Sequence, residues 1–222
     1  MEHQALVARL FLRSSYAGES VPTLDAILAA EIALDTAEHF PPYPEDLPIS
    51  STPHGVPMAS QGFLLSDNLV GRQDLYTAHG RIHDRLLLEG PGALASGVPA
   101  SIPRGAKPIP FSIEMRAVEM LEFRAVGNVA AVSGLLDAVS AVGKHRNKGH
   151  GEVVSTQVFA VDKDPTTWAL EDSAGQPLRP IPLEYWHGGP ALIAMVRWRV
   201  PYWDTSIPAT RCVVPGTQLI AE

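Results

Sequence analysis

The chain has 222 residues, a formal net charge of −7 and 45% hydrophobic residues, enough for one full domain with a sizeable core or a small domain carrying a long insertion. No stretch approaches the roughly 18 consecutive apolar residues of a membrane span, and the start Met1-Glu2-His3-Gln4 lacks the basic and apolar regions of a signal peptide, so water and the cytoplasm are the expected setting. Cys212 is the only cysteine, which excludes an internal disulfide and a cysteine zinc site, and the acidic balance excludes indiscriminate nucleic-acid binding while leaving room for a focused basic site.

Residues His3 to Arg13 alternate: Leu6, Ala8, Leu10 and Leu12 form one row, and Val7, Arg9, Phe11 and Arg13 the other. That is the period of a half-buried strand. Thr23 offers a cap with Asp25 in the first turn, and Leu24, Ile27, Leu28, Ile32 and Leu34 mark a helix running toward His39. From Phe40 to Pro110 prolines and glycines recur every few residues, which reads as a loop-rich insertion; its "GFLLSDNLVGRQDLY" and "RIHDRLLLEG" carry apolar groups that want burial.

Alternation resumes at Phe111 to Ala117 and again at Leu121 to Ala125, predicting a hairpin that turns near Val118 to Met120. Asn128 then caps a helical stripe of Val129, Val132, Leu135, Leu136, Val139 and Val142, expected to end at Gly143. The loop "AVGKHRNKGHGEV", residues 141–153, leads into the β-branched run "EVVSTQVFAV". Beyond it a turn at Ala174 to Gln176 and the alternation of Leu192, Ala194, Val196, Trp198 and Val200 predict more β structure, with Trp198 in the buried row. Tyr202 and Trp203 stay unassigned between packing and stacking on a partner.

Taken in order, these elements give an α+β chain of ferredoxin-like βαββαβ type. It forms a single domain over 1–222, with the insertion over 40–110 after the first helix and a C-terminal β extension over 165–222.

The basic loop is the leading candidate site. Glycines 143, 149 and 151 allow close backbone approach and leave amide N–H groups free, while Lys144, Arg146 and Lys148 supply charge for phosphate. The spacing fails the nucleotide-triphosphate P-loop pattern, because Lys148 precedes Gly149 and no Ser or Thr follows to hold magnesium. The structural alternative is a helix C-terminus closed by Gly143 with cations complementing the dipole.

Arg9, Phe11 and Arg13 would lie on the open sheet face, where bases and backbone can be met, unless the insertion or the extension covers it. His79 and His83, with Asp84 adjacent and Asp74 nearby, could place two metal ligands on one helix face; Gly80 weakens that helix and no third ligand is evident. A metal-dependent hydrolase on this pair is therefore a distant alternative. His145 and His150 could act as acid and base in RNA cleavage, or simply donate to phosphate.

The βαββαβ order with "AVGKHRNKGHGEV" between the last helix and strand resembles the RAMP superfamily of CRISPR RNA-binding proteins. The segments "HGVPMASQGFL" and "RVPYWDTSIPATRCVVPG" are more particularly similar to the small, "Cas five"-like backbone subunit of type IV CRISPR effector complexes. The resemblance implies a non-catalytic subunit without a cofactor that grips the 5′ handle of the CRISPR RNA. It would cap the repeated backbone beside the large subunit, near target DNA and away from membranes, in defence against foreign DNA such as plasmids.

On that resemblance Lys144, His145, Arg146, Asn147, Lys148 and His150 fall in the RNA-binding loop, Ser60, Gln61 and Phe63 fall in the insertion motif, and residues 40–110 would form a thumb against the guide RNA. Arg9 and Arg13 come from the strand pattern instead. A CRISPR RNA-processing endoribonuclease of the same superfamily, using His145 or His150, stands as the enzymatic alternative.

Overall fold

The computed structural model describes residues 3–18, 20–35, 44–65, 73–79, 110–144, 146–202 and 204–216. The first half contains β1 (Gln4–Leu12), β2 (Tyr16–Ala17), α1 (Leu24–Asp35), β3 (Phe63–Leu65) and β4 (Gln73–His79). The second contains β5 (Pro110–Arg116), β6 (Met120–Gly127), α2 (Val129–Leu136), β7 (Val153–Ala160), β8 (Ile181–Pro182), β9 (Leu192–Val196) and β10 (Thr210–Val214). The fold is α+β, with three antiparallel sheets of order β3-β6-β1-β7, β2-β5-β4 and β8-β10-β9. No helix among the described residues is long and apolar enough to cross a membrane.

The alternation in β1 decides the core. Leu6, Ala8 and Leu10 are fully buried and meet Leu121, Phe123 and Ala125 of β6, Leu24 and Leu28 of α1, and Val132 and Leu136 of α2. Both helices thus cover one face of the four-stranded sheet. Each large side chain so buried contributes about 1.5–3 kcal/mol.

The expected hairpin over residues 111–125 does not form. β6 pairs with β1 and β3, whereas β5 pairs with β2 and β4 in a separate sheet. Alternation fixes which face a strand buries but not its neighbour; Phe63 and Leu64, both buried, give β6 an apolar partner that comes from residues read as insertion. Leu47, Ile49 and Ala59 of that same stretch also enter the main core.

Helix α2 starts where expected. The Asn128 side-chain oxygen accepts from the Ala131 amide at 2.8 Å, satisfying one of the orphan donors of the first turn. Replacing Asn128 with alanine should therefore cost about 1 kcal/mol, read as a lower urea midpoint at unchanged slope.

The helix ends at Leu136, earlier than the apolar period suggests. Val139 and Val142 are buried, yet residues 140–142 are extended: Val153 donates to Ser140 O and Val142 to Gly151 O, both at 2.9 Å. Pairing across the loop stem replaces the last helical turns while keeping the same valines in the core.

The C-terminal strands are fastened to the core through Arg179, which is fully buried. One terminal nitrogen (Nη1) donates to Pro57 O at 2.6 Å, Ala59 O at 3.0 Å and Asp25 Oδ1 at 3.3 Å. The other (Nη2) donates to Trp198 O at 2.7 Å and the Tyr202 hydroxyl at 2.9 Å. Tyr202 in turn donates to Asp25 Oδ2 at 2.7 Å, so its hydroxyl serves packing. Burial disfavours the Arg179 charge, but Asp25 and Tyr202 outweigh it and hold the pKa above its ordinary value.

The alternation expected from Leu192 to Val200 is only partly a strand. β9 stops at Val196, and Leu192, Ile193 and Met195 are exposed, while Trp198 packs beside Val56, Ile181 and Val213. Trp203 lies outside the described residues.

Candidate nucleic-acid interface

The basic loop is held at one end by β2 and at the other by the link that precedes it. Lys144 donates its amide to Ala17 O at 2.8 Å, Gly151 donates to Ser15 O at 3.0 Å, and Glu152 donates to the Ser14 hydroxyl at 2.9 Å. Gly143 has φ +90°, and a Cβ there would lie 2.7 Å from the Tyr16 ring and 2.8 Å from Ala17 O. At Gly151, with φ +66°, a Cβ would lie 1.9 Å from Val142 O. These glycines let two backbone segments pack against each other.

That packing corrects one expectation. The amides of Val142, Lys144, Gly149, Gly151, Glu152 and Val153 all donate to groups of the protein itself, so they are not a free cradle for phosphate. What the loop offers a ligand is side chains. Lys144, Arg146, Asn147 and Lys148 are exposed and His150 is half-buried; residues Arg146–Lys148 form a short 3₁₀ turn that turns back on itself through Gly149 N to Arg146 O at 3.0 Å. His145 lies outside the described residues.

The helix-capping alternative fails on position. Asp137 caps α2, so Lys144, Arg146 and Lys148 lie past the last turn, where the dipole no longer acts.

On the open sheet face, Arg9 donates through Nε to Glu122 at 2.8 Å and sits 5.1 Å over the Phe159 ring. Arg13 pairs with Glu152 at 3.2 Å, an exposed bridge worth little. The Arg124 guanidinium lies between the rings of Phe63, 4.8 Å away, and Trp168, 4.7 Å away. Trp168 also donates to Leu6 O at 3.0 Å, so the C-terminal extension covers part of this face.

The insertion-motif residues sit under that cover. Ser60 is fully buried; its hydroxyl accepts from Arg124 N at 2.9 Å and its carbonyl accepts from Leu24 N at 3.1 Å. Phe63 is buried beneath Arg124, and half-buried Gln61 donates its amide to Leu178 O at 2.7 Å. Ser60 and Phe63 build the scaffold, and the exposed loop lies elsewhere.

His79 ends strand β4 and is not on a helix, while His83 and Asp84 lie outside the described residues. No cluster of three or more His, Cys, Asp or Glu side chains among the described residues is placed to hold a metal. Cys212 is buried, and burial pushes its thiol up to about 11, which leaves little nucleophilic thiolate at neutral pH.

The sequence reading overlooked a cavity of about 300 Å³ between α1 and the loop. Tyr16, Ala26, Ala30, Glu31, Lys144 and Arg146 are among its lining residues. The signal was present in the helix as alanines at 26 and 30, one turn apart on the face toward the loop.

The segment that carries α2, the loop, β7 and the C-terminal strands is also the part of the chain that resembles a known family. Residues 106–213 match the family model of Csf3, a CRISPR type IV associated protein. The match supports the resemblance to a type IV CRISPR subunit and places the whole basic loop inside the Csf3-like segment. No curated protein matches the chain.

Proposed function

We propose that this chain is a non-catalytic RNA-binding subunit of a type IV CRISPR effector complex, holding the 5′ handle of the guide RNA at one end of the complex's backbone. The observation that carries the reading is the loop at 141–153: exposed Lys144, Arg146 and Lys148 on a mount fixed by hydrogen bonds to Ser15 and Ala17, within the Csf3-like segment. Phosphate recognition needs local positive potential, which an acidic chain can supply from one such loop.

The four-stranded sheet supports a ferredoxin-like, RAMP-type core. Read as β1, α1, β3, β6, α2, β7, it has the element order βαββαβ, and the antiparallel order β3-β6-β1-β7 puts first and third strands at the centre. On this reading the insertion begins after β3, contains β4 and β5, and is the candidate thumb. The other subunits of the complex, the large one and the repeated backbone one, would meet the remaining faces.

The test is charge reversal. Lys144→Glu, Arg146→Glu and Lys148→Glu together should leave a folded protein that no longer co-purifies with a small RNA of uniform 5′ sequence when expressed with its complex. RNA recovered in wild-type amount would overturn the reading. Processing of precursor RNA that is lost on replacing His145 and His150 would instead favour the endoribonuclease.

A further inference from the structure

We propose that the cavity between α1 and the loop takes one everted guanine of the bound RNA, with Glu31 reading its Watson–Crick edge; this rests on the loop's role as the RNA grip. The cavity, about 300 Å³, is at the small end of ligand sites, suited to one heteroaromatic ring and its sugar.

Its walls fit a base and its rim fits a phosphate. Ala26, Ile27 and Ala30 form an apolar side along α1, continued by Pro22 just before the helix, and Tyr16 adds a ring. Burial holds the Tyr16 hydroxyl well above its usual pKa, and that hydroxyl donates to Ser20 O at 2.6 Å, so the ring is fixed and neutral. Lys144 and Arg146 stand at the loop side, both exposed. The side-chain ammonium of Lys144 makes no hydrogen bond or ion pair among the described residues, and Arg146 hydrogen-bonds to Ala141 O at 3.5 Å and acts on Glu31 through its charge.

Glu31 gives the cavity a preference. Half-buried in the lining, it makes no hydrogen bond among the described residues, and burial raises its pKa against the pull of Arg146. Such a carboxylate is costly to leave unmatched and gains most from a partner that brings two N–H donors in one plane. Guanine offers N1–H and the N2 amino group side by side. Cytosine and adenine offer a single amino group beside an acceptor, and uracil places its one N–H between two carbonyl oxygens that the carboxylate repels.

The experiment uses the full chain with fluorescent RNA octamers, one all uridine and one with a single central guanosine, followed by anisotropy. Wild type should bind the guanosine octamer about tenfold more tightly, within the range one bidentate base contact supplies. Glu31→Gln and, separately, Ala30→Phe, which fills the cavity, should erase that preference and leave the uridine octamer's affinity unchanged. Equal wild-type affinity for the two octamers would overturn the guanine site while the loop reading stands. Binding of both octamers that survives the triple charge reversal, or no binding by wild type, would overturn the loop reading and the guanine site with it.

Discussion

Replacing Arg179 with alanine should lower stability by about 3–5 kcal/mol, the usual cost of removing one partner from a buried ion pair. That is a large share of the roughly 5–15 kcal/mol that holds a domain together. The mechanism is the charge left behind: Asp25 is fully buried, and without the guanidinium its carboxylate keeps, among the described residues, only the Tyr202 hydroxyl at 2.7 Å. The carbonyls of Pro57, Ala59 and Trp198 lose the guanidinium as a donor in the same step. Urea unfolding followed by fluorescence reads the loss as a fall in the midpoint.

A double variant separates the ion pair from mere packing. Arg179→Met with Asp25→Asn removes both charges, so its cost should be clearly less than the sum of the two single costs. Strict additivity would show that the pair is not coupled and that the cluster is held by its carbonyl contacts alone. Because Arg179 joins "HGVPMASQGFL" through Pro57 and Ala59 to "RVPYWD" through Tyr202, and to Trp198 just before it, these two distinctive segments meet at one side chain.

Local patterns made the core legible, and long-range pairing was hidden. The rows of β1, the Asn128 cap and the strand after the loop are each written within a few residues, and each appears at its expected place. The partner of β6 was not, because Phe63–Leu65 is three residues long, too short to show a period. Arg179 was equally silent. Its role depends on five acceptors from α1's first turn, residues 57–59 and residues 198–202, which no window of sequence brings together. At the loop, composition revealed the charge but gave the wrong role to the glycines, since only the fold shows the β1–β2 link packed against them.

That role for the glycines can be measured by comparing two of them. Gly149 and Gly151 both have positive φ, +84° and +66°, so alanine at either incurs the left-handed penalty of roughly 1–2 kcal/mol. They differ in what a Cβ meets: nothing within 4 Å at Gly149, but Val142 O at 1.9 Å at Gly151. Relief at Gly151 requires the stem to open, which breaks Val142 N to Gly151 O and Gly151 N to Ser15 O together. Gly151→Ala should therefore destabilise the fold by about 2 kcal/mol more than Gly149→Ala, the worth of two backbone hydrogen bonds. If the loop is the proposed RNA grip, it should also weaken guide-RNA association at least tenfold, because Lys144 and Arg146 lose their fixed mount, whereas Gly149→Ala should keep most of it. Equal effects of the two alanines on both stability and RNA retention would mean that glycine serves flexibility at both positions, and that the mount is not what presents the cations.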